Sequence, residues 1–125
     1  MIVLDASVLI AHLDQHDAHH TLATERLLEV ADQRFGASPI TLAEILVAPI
    51  RAGRQADAQA ALRTLDVAEI PLSANAAPRL AALRAETMLK LPDCCVLLAA
   101  QDSDGVVLSF DDRLAREAAR LGFGS

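Results

Sequence analysis

The chain has no tryptophan or tyrosine and only three phenylalanines, so 2% of its residues are aromatic although 53% are hydrophobic. Without large rings, a core must be built from Leu, Ala, Val and Ile, a composition suited to helices packed on a small sheet. Cysteine is nearly absent too, and its two copies, Cys94 and Cys95, are adjacent. Neighbouring cysteines rarely bridge each other without strain and one pair is no disulfide framework, which points to a reducing, cytoplasmic compartment. There is no charged leader followed by an apolar stretch and cleavage site, and no apolar run of membrane-spanning length, so a soluble chain with no membrane partner is expected. Positive charge is scarce: 11 Lys and Arg against 17 Asp and Glu leave a net charge of −6. That balance argues against a broad basic surface that binds nucleic acid by charge alone. What survives is either no nucleic acid, or nucleic acid held through a metal in an acidic pocket with a few local arginines.

At 125 residues, without repeats, low-complexity tracts or a convincing linker, the chain reads as a single domain over 1–125 with a core that needs no staples. Ile2-Val3-Leu4 is an unbroken aliphatic run, the signature of a parallel strand covered on both faces. Asp5 ends it. An unpaired buried carboxylate is costly, so Asp5 is expected where the strand opens into a cleft. Ser7 suits the N-cap of a helix whose packed face is Val8, Leu9, Ile10 and Leu13. After a His-rich turn, a helix is expected from about Thr21 to Asp32 with Leu22, Leu27, Leu28 and Ala31 inward. Phe35 to Ile40 reads as a second strand and its exit. Thr41 and Glu44 have capping-box spacing for the next helix, which Pro49 should bend or end. Helical spacing continues at Ala58, Ala61, Leu62 and Leu65, Val67 to Leu72 resembles a third strand, and a further helix holds Leu80 and Leu83 with Pro78 near its first turn. Pro92-Asp93 opens a helix apolar nearly all round from Cys94 to Ala100, which should be central, and there the two thiols read as inert core. Gly105 turns the chain into Val106 to Ser109, the last strand. A closing amphipathic helix turns Leu114, Ala118 and Leu121 inward. The order is α/β, with a mostly parallel sheet of about four to five strands flanked by helices.

In such a sheet the carboxyl ends of the strands share one edge. Asp5 ends the first strand, Asp111 follows the last, Glu44 lies one turn into a helix after the second strand, and Asp93 sits in the first turn of the central helix. Carboxylates drawn together repel and raise one another's pKa, so the arrangement makes sense with a divalent cation among them. Oxygen-only ligands favour Mg²⁺ or Mn²⁺ over Zn²⁺, and such a metal supports hydrolysis of a phosphodiester by activated water.

These residues resemble a known family. Val3-Leu4-Asp5-Ala6-Ser7-Val8-Leu9-Ile10, Thr41-Leu42-Ala43-Glu44, Leu91-Pro92-Asp93 and Ser109-Phe110-Asp111-Asp112-Arg113-Leu114-Ala115 resemble the motifs of PIN-domain ribonucleases, above all the VapC-type toxins of bacterial toxin–antitoxin pairs. The resemblance implies a PIN fold, Mg²⁺-dependent endoribonuclease activity on an RNA substrate, a homodimer and a cognate antitoxin. By position it implies Asp5, Glu44, Asp93 and Asp111 as the acidic catalytic site, with Asp5 and Asp93 as direct metal ligands. It also implies that Ser109 hydrogen-bonds within the carboxylate cluster. Ala6-Ser7 stands where the family often has Thr or Ser and Asn, which leaves Ser7 either holding water or capping its helix. Asp112 ranks behind Asp111 as a site residue.

Each acid has a plainer reading, as a strand terminator, a capping residue or a favourable charge at a helix N-terminus; their combination favours one site. His12, His16, His19 and His20 lack the Cys or acidic partner of a recognised zinc signature and read as a solvated loop near the cleft. Arg51, Arg54, Arg113, Arg116 and Arg120 read as solvated faces that could meet RNA phosphate or an acidic partner. The rival functions are a non-catalytic PIN-like module that binds RNA or protein, and a receiver-like phosphoacceptor domain. The latter is weakened by the lack of paired acids before Asp5 and of a Lys after the last strand.

Overall fold

A computed structural model describes residues 1–124; Ser125, the last residue of the expected domain, lies outside them. The strands are β1 (Ile2–Leu4), β2 (Phe35–Ala37), β3 (Val67–Glu69) and β4 (Val106–Leu108). The helices are α1 (Ala6–Leu13), α2 (His20–Glu29), α3 (Pro39–Arg51), α4 (Gln55–Leu65), α5 (Ala76–Thr87), α6 (Leu91–Ser103) and α7 (Asp112–Arg120). The strands form one four-stranded sheet in the order β3-β2-β1-β4, and every pairing is parallel.

Alternation along β1 explains why its residues are all aliphatic. Ile2 and Leu4 join a core with α1, α2 and α3, whereas Val3 points into a second core built on α6 with α5 and α7. The registered partner of Val3 is Val107, and it joins the same second core. Both faces of the sheet are thus sealed, and a continuous apolar run is the pattern that such a strand requires. Cys94 through Ala100 are all buried, as expected of a helix without a polar face, and burial raises both thiol pKa values further from the reactive range.

Several boundaries and faces differ from expectation. The strands are three residues each, so Ile40, Leu72 and Ser109 lie outside them. Helix α2 buries Ala23 and Leu27, leaving Leu22 and Leu28 exposed and Ala31 beyond its end. Its phase follows two contacts with α1: His20 Nδ1 lies 2.9 Å from the Ala11 carbonyl, and His12 Nδ1 lies 3.1 Å from Thr24 Oγ1. Residues 20, 23, 24 and 27 therefore face α1, with Leu22 and Leu28 each one position off that stripe. Ile10 is likewise exposed, and Ala11 takes the buried position. Pro49 does not end α3, which runs on to Arg51; so near the C-terminus a proline removes one hydrogen bond from a turn already short of partners. At the exit of α6 the left-handed residue is Asp104, with φ 53°, not Gly105. Gly105 is small for another reason: a Cβ there would stand 2.8 Å from the Met1 carbonyl, against which β4 docks.

The His12 ring stacks on His20 with centroids 6.2 Å apart. Burial of that ring, and then the neighbouring His20, hold its pKa below the usual imidazole value of 6.5. A depressed histidine pKa means that the unfolded chain binds the proton more readily, so stability is present above about pH 6.5 and drains away as pH falls through the folded value. His12→Gln is expected to flatten this acid limb: thermal melts at pH 7.5 and 5.5 should differ less for the variant than for the wild type.

Candidate active site

Asp5 is only 5% exposed, at the point where β1 becomes α1. Its carboxylate is the N-cap of α1 and accepts hydrogen bonds on both oxygens. Oδ1 accepts from Val8 N at 3.3 Å and from Ser7 Oγ at 2.7 Å, and Oδ2 accepts from Ser109 Oγ at 2.6 Å. Ser7 is therefore not the cap. Asp5 occupies that position because the helix begins at once after the strand, and Ser7 falls inside the first turn with its hydroxyl free for other work. That hydroxyl also accepts from Phe110 N at 3.0 Å, and Ser109 Oγ accepts from Asp111 N at 2.9 Å. Two serines thus lash the loop after β4 to the end of β1.

Asp111 caps α7, accepting from Leu114 N on Oδ1 at 3.1 Å. Asp93 lies in the first turn of α6, half-buried. Helix α3 starts one turn earlier than expected, with Ser38 as its cap and Pro39 at its first position. A proline there has φ preset and no N–H to leave unpaired, so Ser38-Pro39 outcompetes Thr41. The Thr41–Glu44 capping box does not form. Thr41 is buried inside the helix instead, and Glu44 is left exposed without a capping duty.

Asp5, Glu44, Asp93 and Asp111 all line one cleft of about 130 Å³, together with Ser7, Thr41 and Lys90. Ser109 reaches it through Asp5, whereas Asp112 begins α7 on the exposed surface outside the lining. Sequence reasoning passed over Lys90, whose only local signal is a cation three residues before Asp93, and it gave Thr41 a different task. A larger cavity of about 600 Å³ lies elsewhere, walled by Ile10, Leu13, Ile45 and Ala61 with His16 and His20 at its edge, and includes none of the four acids. Among the histidines, His19 packs its ring 5.7 Å from that of Phe110.

The electrostatics of the cleft follow from burial first and from crowding second. Burial raises the Asp93 pKa above its ordinary 3.8; Lys90 opposes the rise, while Asp111, Asp5 and Glu44 each add to it. Burial raises Asp5 as well, resisted by its bonds from Ser109, Ser7 and Val8 and reinforced by Asp111. Mutual repulsion without a matching set of cations is the property that a divalent ion relieves. The donors fit a hard cation, being carboxylate oxygens that retain lone pairs: Asp5 Oδ2 accepts a single bond, and Asp111 Oδ2 accepts none among the described residues. Among the described residues, no group of three or more His, Cys, Asp or Glu side chains stands close enough together to hold a metal ion as it is. The acids line the walls of a cleft.

Compared with known proteins, residues 2–120 match the family model for the PIN domain. A toxin–antitoxin complex from Klebsiella pneumoniae is similar to the chain with a TM-score of 0.70 and 28% identity, over 87% of this chain and 85% of that one. VapC20 of Mycobacterium tuberculosis, described as a Sarcin-Ricin loop cleaving toxin, has a TM-score of 0.69 and 18% identity over 98% and 96% of the two chains. VapBC2 from Rickettsia felis, bound to a DNA fragment from its promoter, has a TM-score of 0.71 and 16% identity over 99% and 96%. At identities this low, the last two bear on the fold alone. No curated protein sequence matches the chain.

A carboxyl pKa raised by folding means that the folded chain holds its proton more tightly, so stability falls as pH rises from about 3.8 through the folded value. Asp93→Asn removes that cost. In EDTA at pH 7 the variant is expected to melt a few degrees higher than the wild type, with the gain shrinking as pH is lowered toward 4, as followed by circular dichroism.

Proposed function

Because the chain belongs to the PIN-domain family, we propose that it is a metal-dependent endoribonuclease, the VapC-type toxin of a toxin–antitoxin pair. The observation that carries this reading is that acids from four separate segments, Asp5, Glu44, Asp93 and Asp111, line a single cleft. Support comes also from the resemblance to a toxin–antitoxin complex. The whole chain acts as one domain, in the cytoplasm, as a homodimer restrained by a cognate antitoxin. Among the described residues no helix is long and apolar enough to cross a membrane.

Asp5 and Asp93 would hold the cation directly, with Glu44 and Asp111 completing the acidic wall. When bound, Mg²⁺ or Mn²⁺ polarises the phosphodiester and makes water a stronger acid at neutral pH. The chain's own residues supply position and proton traffic. Ser7 and Ser109 fix the Asp5 carboxylate so that it cannot swing away from the cleft, which makes them positioning residues. Asp111 spends Oδ1 on its helix cap and keeps Oδ2 to accept the proton released by the attacking water. Asp112, outside the cleft lining, takes no part.

Incubation of purified protein with RNA in Mg²⁺ or Mn²⁺ tests the reading. Cleavage is expected to stop in EDTA and to fall on the order of 100-fold or more in Asp5→Asn and Asp93→Asn. In Ser109→Ala the loss should be about 10–100-fold. Wild-type protein that is folded and dimeric yet inert toward every RNA would instead be a non-catalytic binding module.

A further inference from the structure

We propose that Lys90 contacts a phosphate of the bound RNA at the acidic cleft, an inference that rests on the endoribonuclease reading and adds a substrate-binding residue to it. Local physics disfavours a lysine at this position. Lys90 is the N-cap of α6, where Ser, Thr, Asp or Asn would satisfy the first N–H groups, and its side chain caps nothing. A cation at a helix N-terminus is also opposed by the helix dipole. A residue that violates both local preferences is expected to answer to something outside the helix.

The position is held firmly. Leu89, beside it, is 2% exposed; its N–H donates to Thr87 Oγ1 at 3.2 Å and its carbonyl accepts from Arg84 Nη1 at 2.8 Å. On the other side the Lys90 carbonyl accepts from Cys94 N at 3.1 Å, inside the buried part of α6. With its backbone gripped at both ends, Lys90 is exposed yet lines the same cleft as the four acids, and is the one cation in that lining among the described residues.

Its ammonium is uncommitted. Arg54, Arg79 and Arg120 pair with carboxylates, but Lys90 makes no ion pair within 4.0 Å among the described residues, although acids crowd the cleft. A flexible stem ending in a point charge beside carboxylates, locked to none of them, suits an anion that arrives with the substrate. For a chain of net charge −6 approaching a polyanion, one such cation at the cleft matters more than it would on a basic surface.

The test uses the full chain with Mg²⁺ and a single-stranded RNA that the wild type cleaves, comparing Lys90→Gln and Lys90→Arg. Loss of one phosphate contact is expected to raise KM about tenfold in Lys90→Gln with kcat changed less than about twofold. The slope of log KM against log salt should fall by about 0.7, and Lys90→Arg should restore both. If KM and the salt slope of Lys90→Gln match the wild type, or if its defect is confined to kcat or to the Mg²⁺ concentration required, Lys90 is only a counter-ion for the acids and the proposal is overturned. A wild type that cleaves no RNA removes the endoribonuclease reading itself, and the proposal with it, a result distinct from a cleaving wild type whose Lys90 variants behave normally.

Discussion

The structure turns on the way one nearly buried carboxylate is held. Asp5 ends β1, and Ser109 follows β4, the strand paired with it in parallel register. Taking a carboxylate out of water is costly, and here the cost is offset by donors from Val8, Ser7 and Ser109, each a charge-assisted hydrogen bond worth about 1.5–3 kcal/mol. Those bonds do more than stabilise an ion. Ser7 and Ser109 each pass the restraint onward, to Phe110 N and Asp111 N, so the placement of Asp111 depends on the placement of Asp5. Removing Asp5 would leave two hydroxyls and a helix N–H short of an acceptor, and the loop that presents Asp111 would lose its tie.

The other wall of the cleft is built by packing. Helix α6 is buried from Cys94 to Ala100 between the sheet and α5, and so it presents Asp93 from a rigid first turn. Helix α3 packs through Thr41 and Ile45 while Glu44, on another face, stays at the surface. The fold therefore brings repelling charges together and tolerates the result, because hydrophobic burial on both faces of the sheet is large beside the electrostatic cost. Local instability of this kind is common where a site must receive a charged ligand.

Much of this was legible in the sequence for identifiable reasons. The run Ile2-Val3-Leu4 can only be a strand covered on both sides, and an apolar stretch as long as Cys94 to Ala100 has nowhere to go but the centre. Once those elements are set in α/β order, Asp5, Glu44, Asp93 and Asp111 fall to one edge by topology. Caps were harder to read. Asp5 and Ser7 are two residues apart and Ser38 and Thr41 three, each a competent cap, and the choice between them rests on where the helix starts and on Pro39, not on the oxygen donor alone. On α2 Leu27 is buried as its spacing implies, but Leu22 and Leu28 are not, because contacts made by His12 and His20, which carry no periodicity signal, go with a different rotation of the helix. Lys90 escaped notice because a lone lysine has no signature until its neighbours in space are known.

Anomalous diffraction from crystals grown with Mn²⁺ tests the central claim most directly. The account predicts a manganese peak in the cleft, within ligand distance of the carboxylates of Asp5 and Asp93, that disappears in Asp93→Asn. Bound manganese elsewhere on the molecule, or a cleft that stays empty while the protein cleaves RNA, would contradict it.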